Sequence, residues 1–161
     1  MLAVYARCVA SPTVNDLHAA AYELLFDAMR RDFLQDPSLL RIERTEDGKP
    51  YFVDCDYQFS ITHTEGLVAV AISSENVGID AEPSERRISD AVAKRFLGVE
   101  NATVKDWTRY ESIGKLLGCG VPLAKEQRNT ECFTYFYTDL PGYTVCCACR
   151  EKQIQNRIKL I

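Results

Sequence analysis

Hydrophobic and polar positions along this chain follow two alternating periods, and the switches between them mark out elements. Leu2 to Val9 is a short apolar run that predicts a strand, and Ser11-Pro12-Thr13 predicts a turn. From Val14 to Phe33 apolar residues return at helical spacing, at Leu17, Ala21, Leu24, Leu25, Ala28 and Met29. This predicts an amphipathic helix with Asn15 or Asp16 as its cap and Pro37 just beyond its end. Ile42 to Glu43 and Tyr51 to Val53 predict short strands around the loop Glu46-Asp47-Gly48-Lys49-Pro50, with Asp54 and Asp56 interrupting the second. Phe59 to Thr62 and Leu67 to Ser73 predict a strand pair joined by Thr64-Glu65-Gly66.

A second cycle begins at Val77. Val77 to Glu82 predicts a strand that Pro83-Ser84 ends, Ser89 to Phe96 a helix with Asp90 in its first turn, and Val104 to Leu117 a longer helix closed by Gly118 and Gly120. Glu131 to Thr138 and Tyr143 to Arg150 alternate as strands about Leu140-Pro141-Gly142. The tail ends in Ile158-Lys159-Leu160-Ile161, which reads equally as a last strand or a frayed end. Each cycle therefore runs strand, helix, strands, a repetition of element order without obvious sequence identity.

Composition narrows the function classes. At 161 residues, 47% hydrophobic and 26% charged, the chain can bury a globular core. A net charge of −4 argues against wholesale nucleic-acid binding. No apolar run reaches membrane-spanning length. The seven cysteines are odd in number and irregularly spaced, and Met1 to Ala10 is too short for a secretory signal. The expectation is a cytoplasmic protein with reduced thiols. Cys146-Cys147-Ala148-Cys149 contains a C-x-x-C spacing, but it lies in a strand-like stretch with no second Cys/His pair nearby, so buried thiols are the better reading than zinc.

Two segments carry the candidate chemistry. In Val77-Gly78-Ile79-Asp80-Ala81-Glu82, strand geometry points Asp80 and Glu82 the same way. In Trp107 to Lys115, helix geometry puts Glu111 and Lys115 on one face. If the faces meet, three carboxylates and an ammonium converge. Hard oxygen ligands suit Mg²⁺, and the ammonium suits a phosphate, which outlines a phosphoryl-type transfer site. Taken singly, D-x-E on a strand and an i,i+4 Glu–Lys pair are ordinary surface patterns. Thr62-His63-Thr64 offers an imidazole and hydroxyls to phosphate oxygens, and Gly48-Lys49 a close backbone approach with a cation beside it.

The ordered set Gly48-Lys49-Pro50, Phe59-x-x-Thr62-His63-Thr64, Gly78-Ile79-Asp80-x-Glu82 and Trp107-x-x-x-Glu111-Ser112-x-x-Lys115 resembles the 4′-phosphopantetheinyl transferases, of the surfactin-synthetase-activating type with two similar halves in one chain. Ala93-Lys94-Arg95-Phe96 and Pro141-Gly142-Tyr143 share the likeness, which covers roughly residues 40 to 150. The resemblance implies an α+β fold: two similar halves, 1–75 and 76–161, each a helix packed on an antiparallel sheet, with the active-site cleft between them and a monomer as the working unit. It implies Mg²⁺-dependent transfer of the phosphopantetheine arm of coenzyme A to a serine hydroxyl of an acyl or peptidyl carrier protein, with release of 3′,5′-ADP. By motif position Asp80, Glu82 and Glu111 would hold Mg²⁺. Lys49, Pro50, Thr62, His63 and Lys115 would contact coenzyme A, and Glu111, Lys115 and His63 would be catalytic. The resemblance implies neither nucleic acid nor membrane as a partner.

The chain departs from that pattern at three places. Tyr110 stands where the family usually has Lys or Arg, His18-Ala19-Ala20 where related chains often carry an arginine, and the N-terminal half and the loop Gly98 to Lys105 are short. These motivate two competing readings: a coenzyme A-binding homologue without transferase activity, and a phosphohydrolase using the same carboxylates. The intact Asp80, Glu82, Glu111 and Lys115 argue against the first, and the lack of a second metal site against the second.

Overall fold

A computed structural model describes residues 2–10, 13–119, 131–150, 152 and 157–161. The fold is α+β with antiparallel sheets. Its elements are β1 (Leu2–Cys8), α1 (Val14–Asp32), β2 (Arg41–Arg44), β3 (Pro50–Val53), β4 (Gln58–Thr64), β5 (Leu67–Ser73), β6 (Val77–Pro83), α2 (Asp90–Val92), α3 (Val104–Leu117), β7 (Phe133–Tyr137), β8 (Tyr143–Cys149) and β9 (Lys159–Leu160). Of the expected turn residues, Ser11, Pro12 and Gly120 lie outside the described residues.

One sheet has the order β4-β5-β1-β9, another β6-β8-β7, and β2 and β3 form a separate hairpin. β5 lies between β1 and β4 and pairs antiparallel with both, as β8 does between β6 and β7. The tail resolves as a strand: β9 joins β1 in parallel, and Ile161 N–H donates to Ala6 O at 3.0 Å.

Alternation sorts the side chains of each strand between two faces. Leu2, Val4 and Ala6 of β1 and Leu67, Ala69 and Ala71 of β5 share one core with Val77, Ile79 and Ala81 of β6. Ala3 and Tyr5 of β1 and Val68, Val70 and Ile72 of β5 point the other way, onto Leu24, Leu25 and Met29 of α1. On the second sheet, Ala148 of β8 meets Trp107, Tyr110, Ile113 and Leu116 of α3. The layers thus run helix, sheet, sheet, helix, with α1 and α3 outermost.

Two expectations need correction. The cap of α1 is Thr13, whose side chain accepts from Asp16 N–H, while Asp16 reaches back to Thr13 N–H. Asp16 is therefore the reciprocal member of a capping box rather than the cap, because the cap must precede the first helical residue. The stretch expected as a helix from Ser89 to Phe96 is α-helical only at Asp90–Val92, with Ser89 as cap, and then widens into a π-type turn over Ala93–Leu97. Gly98, left-handed at φ 72°, closes it by donating to Ala93 O at 3.0 Å.

Along its edge opposite β8, β6 meets β4. Ile79 N–H donates to Ser60 Oγ at 3.1 Å, so a hydroxyl takes the place of a ladder partner. The groove above this seam, between α1 and α3, holds the polar residues described next.

Candidate active site

Asp80 and Glu82 are only 3% and 7% exposed on β6, and both project beside α3. Their placement depends on Gly78. A Cβ at that position would lie 2.1 Å from Ser112 O and 2.3 Å from Leu116 N. The glycine therefore lets the α3 backbone come down onto β6, which brings Glu111 over the strand. One oxygen from each of Asp80, Glu82 and Glu111 lies within 4.8 Å of the others. The two faces that spacing alone could only orient do meet.

Cations and hydroxyls surround this cluster unevenly. Asp80 Oδ1 accepts from Lys115 Nζ at 2.8 Å and from Thr62 Oγ1 at 3.2 Å. Asp80 Oδ2 is buried with no hydrogen-bond partner among the described residues. A buried carboxylate oxygen without a donor is costly, so the site suits a cation that fills that position. Arg86 donates to Glu82 Oε1. Glu111 has its carboxyl pushed up to about 7, first by burial and then by the charge of Asp80, with Glu82 adding to the effect and Lys115 opposing it. Three carboxyl groups with two paired cations form a hard-oxygen donor set with room for a divalent ion.

A cavity of about 280 Å³ opens over the cluster, walled by His18 and Tyr22 of α1, Arg44 of β2, and Thr62 and His63 of β4. His63 lies within β4 rather than past its end. Its ring is 6.4 Å from that of His18. Burial lowers its pKa, and the charges of Lys115 and His18 lower it further. A second recess of about 220 Å³ adjoins the first across Pro50, Ile61 and Lys115, with Gly48 and Phe59 on its far wall.

Of the residues the sequence singled out, Asp80, Glu82, Glu111, Lys115, Thr62, His63 and Pro50 all line the first cavity. Lys49 lines only the second, and its ammonium points into the protein, donating to Asn76 Oδ1, Val77 O and Leu116 O at 3.2 Å each. It caps the C-terminal end of α3, where a cation complements the helix dipole. Burial lowers its pKa to about 8. Tyr110, 6% exposed, packs with Trp107 and Ile113 in the core beneath α3.

Sequence reasoning passed over Arg86 and Arg44. Arg86 follows the strand end at Pro83; it stands four residues after Glu82, a spacing that carries weight only on a helix and none was predicted there, and its other signal was a basic pair, Arg86-Arg87, just after an acidic motif. Arg44 reaches the cavity by the pairing of β2 with β3 and holds the loop by donating to Gly48 O at 2.8 Å. The thiols of Cys146, Cys147 and Cys149 are buried in β8 and form no disulfide among the described residues. Residues 146 and 149 fall on opposite faces of that strand, so the C-x-x-C spacing does not make a chelate.

Comparison with known proteins adds one relation. Over 118 residues, 63% of this chain, the sequence is 30% identical to a Haemophilus influenzae protein named "Putative 4'-phosphopantetheinyl transferase". The match covers 50% of that protein, so the chain spans about half the length of the curated relative it matches. No family model matches the chain. Among the described residues, no helix is long and apolar enough to cross a membrane.

Proposed function

We propose that this chain is a 4′-phosphopantetheinyl transferase of the two-half type, moving the phosphopantetheine arm of coenzyme A onto a serine of an acyl or peptidyl carrier protein. The observation that carries this reading is the convergence of Asp80, Glu82 and Glu111 around a buried Asp80 oxygen that has no hydrogen-bond donor among the described residues, with Lys115 beside it. The similarity to the Haemophilus influenzae protein points the same way. So does the shared strand order β1-β5-β4 and β6-β8-β7, which fits related halves at 1–75 and 76–161. Both walls of the groove come from one chain, so a monomer suffices.

In this reading Asp80, Glu82 and Glu111 hold Mg²⁺, which when bound neutralises charge on the pyrophosphate of coenzyme A. Lys115 stabilises the same phosphates. His63 and Thr62 donate to phosphate oxygens from β4, and Pro50 with Lys49 borders the recess for the nucleotide. Glu111 takes the proton of the carrier serine. The serine oxygen bonds to the β-phosphorus, the pyrophosphate P–O bond breaks, and 3′,5′-ADP leaves.

Intact mass of a panel of apo carrier proteins, incubated with the protein, coenzyme A and Mg²⁺, tests this. The expected result is a gain of one phosphopantetheine on at least one carrier, lost with EDTA and with Asp80→Asn or Lys115→Ala. No gain on any carrier while coenzyme A still binds would overturn transfer in favour of a binding-only homologue. Hydrolysis of coenzyme A without a carrier would place the site among phosphohydrolases.

A further inference from the structure

Among the described residues, Arg86 is the cation at the carboxylate cluster that also rests on an aromatic face. Its guanidinium donates to Glu82 Oε1 and lies over the indole of Trp107, 5.8 Å from the ring centroid. Its side chain is 43% exposed, whereas that of Glu82 is 10% exposed. Besides Glu82, the carboxylates of Glu111 and Asp80 act on it, and all three raise its already high pKa. Lys115, by contrast, is tied to Asp80 Oδ1 and leaves Oδ2 open.

A divalent ion at the three carboxylates would need a Glu82 oxygen. Arg86 already neutralises that carboxylate, and a second cation beside it would be repelled. The aromatic face of Trp107 offers the guanidinium an alternative seat, and its exposure gives it freedom to move.

We propose that Arg86 is an internal competitor for the metal: it occupies Glu82 when the site is empty and yields it, shifting its position on the face of Trp107, when a divalent cation binds. This rests on the reading of Asp80, Glu82 and Glu111 as metal ligands. Arg86 thereby keeps three clustered carboxylates tolerable in the empty protein and sets a threshold on metal affinity. It is a tuning residue and is not assigned contact with the reacting atoms.

Calorimetric titration of the intact protein with Mg²⁺ tests this in wild type, Arg86→Gln, Arg86→Lys and Asp80→Asn. A charge-assisted hydrogen bond of this kind corresponds to roughly tenfold in an equilibrium, so Arg86→Gln should bind Mg²⁺ about tenfold more tightly than wild type. Arg86→Lys, which keeps the charge without the planar fork, should fall between them. Trp107 is the single tryptophan of the chain, so its emission follows the guanidinium: Mg²⁺ should change it in wild type and not in Arg86→Gln. If wild type binds Mg²⁺ and Asp80→Asn does not, the metal site stands. Arg86→Gln binding no tighter than wild type, or wild-type emission indifferent to saturating Mg²⁺, would then overturn the role of Arg86 alone. If neither wild type nor Arg86→Gln binds Mg²⁺, or Asp80→Asn binds as wild type does, the metal reading falls and this proposal with it.

Discussion

The two long helices, α1 and α3, begin alike and are used differently. Each opens on a Thr-x-x-Asp capping box, Thr13 with Asp16 and Thr103 with Asp106. α1 then docks through side chains, burying Leu24, Leu25 and Met29 completely against its sheet. α3 docks on β6 through its backbone, at a glycine, and its polar face supplies Glu111 and Lys115 to the carboxylate cluster. Their ends differ too. α1 closes on Asp32, which accepts from Tyr5 Oη at 2.8 Å and Lys159 Nζ at 2.7 Å and so ties in β9. Near the end of α3, the Leu116 carbonyl is instead held by the half-buried ammonium of Lys49. Packing of large side chains tolerates small shifts of a helix. A helix that must deliver a carboxylate to within a metal's reach does not, and backbone-to-backbone contact fixes its height most strictly.

The sharpest way to break this contrast is Gly78→Ala. The added Cβ would press α3 off β6 through atoms that cannot rotate away. Urea unfolding should show a loss of about 3 kcal/mol or more, and Mg²⁺ affinity should collapse as Glu111 lifts. Leu24→Ala in α1 should cost about 2–5 kcal/mol by the same measurement, as a cavity in a closed core, while Mg²⁺ affinity stays at the wild-type level. A loss of metal binding in Leu24→Ala would mean that α1 positions the site as strictly as α3 does.

Tyr110→Lys sharpens the comparison within α3. Reading the chain as a string, a lysine here restores a cation usual at this position and should preserve or raise activity. With Tyr110 buried beside Trp107, the substitution instead puts an ammonium into the core. A loss of about 3 kcal/mol, as for an uncompensated buried charge, with no gain in transfer, is expected from unfolding and turnover together.

The smallest effect is at the other helix's end. The ammonium of Lys159, with hydrogen bonds from Tyr5 and Arg31, holds the Asp32 carboxyl well below its ordinary 3.8. A carboxyl depressed in the folded state stabilises above its unfolded value, and that contribution is lost as pH falls through the folded one. Asp32→Asn should therefore lower Tm modestly at pH 7, and its gap to wild type should narrow progressively below about pH 4. A gap that persists at low pH would show that Asp32 acts by shape rather than charge.

Much of this was legible in the residues. The periodicities located α1, α3 and the main strands to within a residue or two, because alternation and helical spacing are properties of neighbouring residues. The pairings Asp80 with Glu82 and Glu111 with Lys115 were legible for the same reason. Other features left no local trace. The π-type turn at Ala93–Leu97 keeps a helical composition, and whether Thr13 or Asp16 caps α1 is a matter of where the backbone first turns helical.

The sequence by itself determined which side chains share a face, where chain direction reverses, and that carboxylates and a lysine with the spacing to converge are present. Only the tertiary structure decided that Gly78 serves helix approach, that Lys49 caps α3, that Tyr110 is core, and that Arg86 sits on Glu82. The reason is physical. Local rules act through a backbone that repeats every two or every 3.6 residues, whereas these four positions are set by contacts between elements far apart in the chain or past an element's end, where no repeat relates one residue to the next.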